Sequence, residues 1–331
     1  MRYLNAILLT VTLYSCATAQ EAEIRPLDPR LTDYEYPYET HIHRIFSQEQ
    51  SLEMVYMDIA PAEANGKTIV LLHGKNFNGA YWKTTIELLI AQGYRVIVPD
   101  QVGFGKSSKP QEYQFSFHEL ARNTRGLLDS LGVTESHVMG HSMGGMLAMR
   151  YALMYPEATS QLILLNPIGL EDWKRKVPYR PVSWWYANEL KKDYDGIRKY
   201  QQESYYDGEW SPEYDQWVNL LAGWAKHPDY SQVAWNAALT YDMIFTQPVV
   251  YELELLQMPT LLLIGTRDRT ALGKPLVSPE VRATLGLYDE LGEQTAARIP
   301  EATLVEFPGI GHLPHIEAFD KYRKALLDNL K

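Results

Sequence analysis

A serine placed between two glycines is the most distinctive chemical feature of the chain. The segment Gly140–Gly144 reads Gly-His-Ser-Met-Gly and centres on Ser142. This Gly-x-Ser-x-Gly pattern is typical of a sharp strand-to-helix turn that exposes the serine hydroxyl as a nucleophile. The serine is strained there, and the glycines avoid clashes with neighbouring backbone. The apolar strand pattern at 137–139 and a helical pattern up to about residue 155 supply the context that the turn requires.

A serine hydroxyl is a weak nucleophile near neutral pH, so a base must take its proton. Of the nine histidines, His312 has the setting of that base, because it lies on a glycine-containing loop after a predicted strand over 302–307. Asp268 follows the apolar strand at 261–264 in the same way, and such an acid fixes the tautomer of the histidine ring. Open α/β sheets bind ligands at the carboxyl ends of their strands. We therefore expect Ser142, Asp268 and His312 to form a catalytic triad.

Other candidates for these roles have weaker patterns. The end of strand 162–165 could also carry the acid, but it holds Asn166, which cannot ionise, and Asp172 is a distant second candidate. Three further histidines near the motifs are expected to make structural hydrogen bonds or to pack: His73, His141 and His315.

Hydrophobic periodicity predicts the elements that position these residues. Strands are expected over 42–47, 52–59, 68–72, 95–98, 137–139, 162–165, 260–264 and 302–307. Helices are expected over 82–92 and 117–131, from Ser142 to about 155, and after Pro314. Continuous apolar strands alternating with helices predict an α/β fold, with a mostly parallel central sheet covered by helices on both faces.

The alternation stops between residues 167 and 250. This stretch holds seven of the eight tryptophans and nine of the 23 tyrosines, has helical patches at 187–204 and 213–225, and contains no plausible core strand. We interpret it as a helical cap inserted after the sixth strand, so that residues 42–166 and 251–331 form the core. The aromatic residues can form the core of the cap or line a pocket, and we expect both.

The first nineteen residues have the pattern of a signal peptide. Arg2 is the only charge before Glu21, an apolar run follows, and Ala17 and Ala19 form a small-x-small cleavage site that would leave Gln20 as the new N-terminus. We expect a periplasmic or secreted protein with an N-terminal arm over 20–41. Cys16 loosely matches a bacterial lipobox, so lipidation there is a less favoured alternative and the only expected route to a membrane.

Five motifs in this order give the chain a resemblance to the α/β-hydrolase superfamily of serine esterases, lipases, lactonases and carbon–carbon bond hydrolases. They are His73-Gly74 after the third strand, Asp100–Gly105 after the fourth, the turn at Ser142, Asp268 and His312. The resemblance covers roughly residues 40–331 and obeys the family's order of serine, acid and histidine. It implies an oxyanion hole made by the backbone amides of Met143 and Lys75, with Asn76 as the fallback for the second donor. Dehalogenases and epoxide hydrolases of this fold have an aspartate where this chain has Ser142.

The expected function is hydrolysis of a carboxylic ester, or a similar small acyl substrate, through an acyl-enzyme. Carbon–carbon bond hydrolysis is an alternative, although relatives with that activity often have Asn where this chain has His141. A proline-releasing aminopeptidase is another, and it would need acidic cap residues near the pocket, for which Glu203, Glu209 and Glu213 are the candidates. A binding protein on a hydrolase scaffold is the alternative outside enzymes.

The composition limits the kinds of molecule that the protein is expected to bind. With 46% hydrophobic and 22% charged residues the chain is typical of a soluble globular protein, and its net charge of −10 argues against nucleic acid. No residues have convincing metal-ligand spacing and no phosphate-binding loop is present, so neither a metal nor a cofactor is expected. The side chain of Lys75 could attract a substrate carboxylate, or point away and pair with an acidic residue. We favour the orientation in which the side chain points away and pairs with an acidic residue, because lysines are usually solvated.

Overall fold

The structure is a computed structural model that describes residues 24–331. The predicted signal peptide, its cleavage site and Cys16 lie outside the described residues.

Eight strands form one sheet at the centre of the fold. In chain order they are β1 (Thr40–Ser47), β2 (Gln50–Ile59), β3 (Thr68–Leu72), β4 (Arg95–Pro99), β5 (Ser136–His141), β6 (Thr159–Leu165), β7 (Thr260–Gly265) and β8 (Ala302–Phe307). Their order in the sheet is β1-β2-β4-β3-β5-β6-β7-β8. β2 is antiparallel to β1 and β4, and all other pairs are parallel. The predicted α/β class with a mostly parallel sheet is confirmed.

Eleven α-helices are found within residues 24–331. They are α1 (Lys83–Ala91), α2 (Phe117–Ser130), α3 (Met143–Met154), α4 (Val182–Glu189), α5 (Tyr194–Tyr205), α6 (Asp215–Ala225), α7 (Tyr230–Thr246), α8 (Pro279–Arg282), α9 (Tyr288–Ala296), α10 (Pro314–Glu317) and α11 (Phe319–Asn329). Within this part of the chain, none of the helices combines the length and the apolar character needed to cross a bilayer.

The strands are apolar on both faces because each face meets its own hydrophobic core. In β3, Val70 and Leu72 join a core that contains α2 and α3, whereas Ile69 and Leu71 join a core that contains α1 and α11. Successive side chains of a strand point to opposite faces, so a strand buried on both faces must be apolar throughout. This burial fixes the carboxyl ends of β5, β6, β7 and β8 side by side, and the candidate site residues follow those ends.

The segment between β6 and β7 contains α4 to α7 and no strand. The predicted helical patch 187–204 is wrong as a single element, because α4 ends at Glu189 and α5 begins at Tyr194. The side chain of Asp193 accepts a hydrogen bond from the backbone N–H of Gly196 and so starts a new helix. Aromatic residues form part of this segment's own core: the rings of Tyr206 and Tyr214 stack at 3.8 Å.

The described part of the N-terminal arm is packed against the body of the protein. Leu31 is fully buried. The hydroxyl of Tyr36 donates to Asp100 at 2.5 Å, and the backbone N–H of Leu27 donates to the carbonyl of Gly223 in α6 at 2.9 Å. The arm therefore contacts both the loop after β4 and the helical segment.

Candidate active site

Ser142 occupies the sharp turn between β5 and α3. Its backbone dihedral φ is +57° with ψ −122°, a conformation that costs a non-glycine residue energy. Hydrogen bonds hold it there: its N–H donates to the carbonyl of Leu165, and its own carbonyl accepts from the N–H groups of Gly145 and Ile168. The side chain is mostly buried and lines a cavity. A fixed backbone thus presents this residue to the cavity.

The glycines of the turn are required by close backbone contacts. A Cβ atom added at Gly140 would lie 2.1 Å from the carbonyl oxygen of Gly144, and one at Gly144 would lie 2.2 Å from that of Leu72. Real Cβ atoms do not approach backbone so closely, and the β3 backbone cannot move without disturbing the sheet. The pattern seen in the sequence therefore has a direct steric cause.

Gly144→Ala is expected to lower the free energy of unfolding by about 3 kcal/mol, because the new methyl group overlaps with backbone rather than with a movable side chain. Urea unfolding measures this change. Gly126→Ala in α2 is the matched control: the nearest atom to its new Cβ is 3.9 Å away, and alanine suits a helix better by up to about 1 kcal/mol. Equal stability of Gly144→Ala and the unchanged protein would contradict the steric argument.

Asp268 and His312 are joined by a short hydrogen bond. The Nδ1 atom of His312 lies 2.5 Å from Oδ2 of Asp268, and both side chains are fully buried. Burial alone would raise the pKa of the Asp268 carboxyl, but the imidazole of His312 and a hydrogen bond from the N–H of Thr270 to Oδ1 hold that pKa below its usual value. Asp268 is therefore ionised near neutral pH and fixes the orientation of the ring.

The second ring nitrogen of His312, Nε2, has no hydrogen-bonding partner among residues 24–331 although it is buried. The rings of His312 and His141 are 4.7 Å apart, and His141 directly precedes Ser142. Nε2 thus makes no hydrogen bond to the hydroxyl of Ser142 in this structure and is an unused proton acceptor near the turn that carries the serine.

Asn166 has a role that the sequence did not reveal. Its Nδ2 donates to Oδ2 of Asp268 at 3.0 Å, and its Oδ1 accepts from the N–H of Gly265 at 2.8 Å. This fully buried amide at the end of β6 therefore holds the carboxylate and ties β6 to the end of β7. The sequence identified Asn166 only as a residue that cannot ionise. Asp172, the second candidate for the acid, instead accepts from the hydroxyl of Tyr251 at 2.7 Å and does not take part.

His141 and His73 make structural hydrogen bonds, as predicted. The Nε2 atom of His141 lies 2.9 Å from the backbone carbonyl of His312, which can only accept, so Nε2 carries the proton. The hydroxyl of Tyr81 then donates to Nδ1 at 3.0 Å and itself accepts from the N–H of Gly74. Burial, with repulsion from His312 and His315, lowers the pKa of His141 well below its usual value. In His73, Nε2 accepts from the N–H of Gln101.

His315 packs, as predicted, rather than binding. Its ring lies 4.8 Å from that of Trp82, and neither ring nitrogen has a hydrogen-bonding partner among the described residues. Burial, followed by repulsion from His312, lowers the pKa of His315 to about 3.

The free energy of unfolding is expected to depend on pH through His315. The pKa of His315 is about 3 in the folded protein and near 6.5 in the unfolded chain, so at pH values between these the unfolded chain binds more protons. The free energy of unfolding therefore decreases as the pH falls below 6.5. The loss approaches roughly 1.4 kcal/mol per pH unit. Urea unfolding at pH 7.5 and 4.5 should show a loss smaller by about 2 kcal/mol in His315→Phe than in the unchanged protein. An identical pH dependence of the two proteins would contradict this.

The two predicted amide donors lie on either side of Ser142. Met143 is the first residue of α3, so its N–H has no partner within the helix. Lys75 follows Gly74, where an added Cβ would lie only 3.1 Å from the Cβ of Ser142. Asn76, the fallback, uses its side chain elsewhere, because its Nδ2 donates to the hydroxyl of Tyr205 at 2.8 Å. The loop after β3 thus brings the amide of Lys75 close to the serine.

A cavity of about 190 Å³ opens above Ser142. Its wall comes mainly from the segment between β6 and β7 and from the loop after Asp268. Aromatic and aliphatic side chains dominate, among them Trp173, Trp184, Trp185, Tyr241 and Leu272. The aromatics of the helical segment therefore serve both as its own core and as the lining of the cavity.

The side chain of Lys75 lines this cavity, and the expectation that it turns away is wrong. Its ammonium is attracted to Glu189, yet no carboxylate of residues 24–331 lies within 4.0 Å of it. The acidic residues that the aminopeptidase alternative would need do not reach the cavity: Glu203, Glu209 and Glu213 are exposed and line no part of it. Among the described residues, no group of three or more His, Cys, Asp or Glu side chains is placed to hold a metal ion.

Comparison with known proteins identifies the family. A family model described as alpha/beta hydrolase fold matches residues 67–319. The chain belongs to the α/β hydrolase fold family. The predicted resemblance is thereby confirmed. Among solved α/β hydrolase structures, a probable hydrolytic enzyme from Pseudomonas aeruginosa PAO1 is 55% identical and superposes with a TM-score of 0.92, covering 94% of this chain and 100% of that chain.

Two curated relatives have different named activities. A 2-hydroxy-6-oxo-6-phenylhexa-2,4-dienoate hydrolase from Burkholderia cepacia is 39% identical over 108 residues, which are 32% of this α/β hydrolase and 38% of that enzyme. Lipase 1 from Psychrobacter immobilis is 24% identical over 323 residues, which are 96% of this chain and 92% of the lipase. The match to the first relative thus spans well under half of its length.

Proposed function

We propose that this α/β hydrolase cleaves carboxylic esters of small molecules through an acyl-enzyme on Ser142, with His312 as the base and Asp268 as its acidic partner. The observation that carries the proposal is the 2.5 Å hydrogen bond between Asp268 and Nδ1 of His312, which leaves Nε2 unpaired beside the strained turn at Ser142. An ionised partner stabilises the imidazolium that forms when the ring accepts a proton.

In the first step, the hydroxyl oxygen of Ser142 bonds to the ester carbonyl carbon while its proton moves to Nε2 of His312. The carbonyl oxygen becomes an oxyanion, which the amides of Met143 and Lys75 stabilise, assisted by the positive end of the α3 dipole. His312 then gives the proton to the alkoxide oxygen as the carbon–oxygen bond breaks, and the alcohol leaves.

In the second step, water replaces the alcohol. His312 takes a proton from water, whose oxygen bonds to the acyl carbon, and the proton returns to Ser142 as the carboxylic acid is released. The neutral, hydrogen-bonded His141 beside this pathway holds the backbone of His312 and takes no proton itself.

The size and lining of the cavity support small, mostly apolar acyl groups. At about 190 Å³ the cavity is smaller than the roughly 300–1,000 Å³ of sites that bind drug-sized ligands. The resemblance of the whole chain to a lipase supports ester chemistry, although a long acyl chain would not fit the described cavity.

Carbon–carbon bond hydrolysis is the second candidate, because it is the chemistry of the dienoate hydrolase that matches about a third of the chain. An aminopeptidase is less favoured, since Glu203, Glu209 and Glu213 lie away from the cavity and Glu189, which lines the smaller cavity beside it, is already paired with Lys192. These activities share the serine and differ in the substrate that the cavity accepts.

A substrate panel tests the proposal. We expect kcat/KM for p-nitrophenyl esters to be highest for acyl chains of two to six carbons and to fall with longer chains, with little turnover of a ring-fission diketone or a prolyl anilide. Turnover of the diketone alone would overturn ester hydrolysis in favour of carbon–carbon chemistry. No turnover of any of these would favour the binding-protein alternative.

We also propose that the protein is exported, on the strength of the single charge before Glu21 and the small residues Ala17 and Ala19. Mass spectrometry of the purified native protein should find an N-terminus at Gln20 in the periplasm or the medium. A modified Cys16 at the N-terminus would indicate the lipoprotein alternative, and a cytoplasmic chain that retains Met1 would contradict export.

A further inference from the structure

The ammonium of Lys75 lies at the junction of two cavities. It lines the cavity above Ser142 and also a neighbouring one of about 40 Å³, together with Asn76. Its Nζ atom is 3.6 Å from the centroid of the Tyr241 ring. Among residues 24–331, it has neither a carboxylate within 4.0 Å nor a hydrogen-bond acceptor, so the ring is its only close partner in the described part of the chain.

When Lys75 is protonated, the charges around it leave an excess of one positive charge. The buried carboxylate of Glu189 is 2.8 Å from Nζ of Lys192 and also accepts a hydrogen bond from the hydroxyl of Tyr241. Burial opposes the charge of Lys192, but attraction to Glu189 outweighs it and raises the pKa of Lys192. Glu189 is therefore already paired, while two lysines line the smaller cavity with it.

The surroundings of Lys75 favour the binding of an anion beside its ammonium group. Burial, only partly offset by Glu189 and reinforced by repulsion from Lys192, lowers the pKa of Lys75 to about 7. An ammonium removed from water without a partner is costly, and an anion bound beside it restores the charged form. At about 40 Å³ the smaller cavity exceeds the roughly 10–15 Å³ that one water needs, so it has room for a carboxylate group.

Because the proposed oxyanion donor and this ammonium belong to the same residue, the anion must lie near the reacting carbonyl. A lysine side chain reaches roughly 6 Å from its own Cα by its bond lengths. We propose that Lys75 binds a carboxylate of the substrate, so that the preferred substrates are short esters that carry one free carboxylate a few bonds from the ester carbonyl. This inference rests on the proposed ester hydrolysis and adds the substrate class.

Matched pairs of esters test it. Monoethyl glutarate is compared with ethyl glutaramate, in which a neutral amide replaces the carboxylate on the acyl side. Carboxymethyl butyrate is compared with carbamoylmethyl butyrate, which differ in the same way on the alcohol side. The readout is the ratio of kcat/KM for the acid over the amide, measured by pH-stat titration near pH 7. A ratio of at least 10 in one pair supports the inference and places the carboxylate on that side.

The variants Lys75→Met and Glu189→Gln distinguish an effect of charge from a general loss of activity, because they are expected to change this ratio in opposite directions. Lys75→Met is expected to lower it about 10- to 100-fold, the range of a hydrogen bond to a charged group. Glu189→Gln removes the competing negative charge and is expected to raise it severalfold. Lys191→Met removes an exposed lysine next to Lys192 and should leave the ratio unchanged.

Several outcomes would overturn the inference. The first is an acid-to-amide ratio of kcat/KM near 1 in both ester pairs for the unchanged protein. The second is an unchanged ratio in Lys75→Met. The third is a lowered ratio in both Lys75→Met and Glu189→Gln. Competitive inhibition by glutarate but not by glutaramide is expected as a check that needs no variant. Equal hydrolysis of acids and amides would refute carboxylate recognition and leave ester hydrolysis standing, whereas turnover of neither class would refute ester hydrolysis itself.

Discussion

Ser142→Ala is expected to lower kcat for ester hydrolysis by about 10⁶-fold, the size of effect that loss of the nucleophile has in serine hydrolases. In the proposed mechanism this hydroxyl, which the turn between β5 and α3 presents to the cavity, is the group that forms the acyl-enzyme. Activity that survives would come only from substrate binding and oxyanion stabilisation. Burst kinetics with p-nitrophenyl acetate should show an acyl-enzyme in the unchanged protein and none in the variant.

Two control measurements on Ser142→Ala, of its folding and of its substrate binding, show whether only the chemical step is lost. Alanine relieves none of the backbone strain at φ +57° and removes one oxygen, so the melting temperature should stay within a few degrees. Binding of a slowly hydrolysed substrate, measured by calorimetry, should persist. Turnover above about 1% of the original rate would assign the chemistry to another residue.

Asp268→Asn is expected to lower kcat by about 10⁴-fold with only a small change in the shape of the site. A neutral amide cannot stabilise the imidazolium of His312. Its NH₂ group placed toward Nδ1 would select the tautomer with the proton on Nε2, which cannot accept a proton from Ser142. In either orientation the new NH₂ group also meets a native donor, either Nδ2 of Asn166 at the place of Oδ2 or the N–H of Thr270 at the place of Oδ1.

Asp172→Asn provides the matched control for Asp268→Asn. It makes the same chemical change in a carboxylate that contacts Tyr251 instead of His312, and we expect kcat to stay within about twofold. Equal losses in the two variants, or a loss of less than tenfold in Asp268→Asn, would show that Asp268 does not support the base.

The sequence alone was sufficient to predict the features that arise from local contacts or from regular hydrophobic patterns. Gly140 is required by a contact within the turn itself, to the carbonyl of Gly144, so the turn was visible as a short pattern. The strands that carry Asp268 and His312 are apolar on both faces because two cores cover the sheet, and their periodicity revealed them. The fold and the family were confirmed, while the catalytic roles of these residues remain predictions.

Features that depend on distant contacts were not visible in the sequence. Asn166 supports Asp268 across 102 positions of sequence, and an uncharged amide gives no signal of that role. Glu189 and Lys192 pair over only three residues, but the pair comes to lie beside Lys75 only when α4 packs against α7, the helix that carries Tyr241. A short break between α4 and α5 was missed, because its flanking residues continue a helical pattern until Asp193 caps the next helix.

Covalent labelling with a fluorophosphonate tests the central claim most directly. Only a serine whose hydroxyl is deprotonated by a nearby base reacts quickly with this reagent. We predict an intact mass increased by one phosphonyl group, located by peptide sequencing at Ser142, and no labelling of Ser142→Ala. A label on another residue, or no label on the folded protein, would contradict the assignment of Ser142 as the nucleophile.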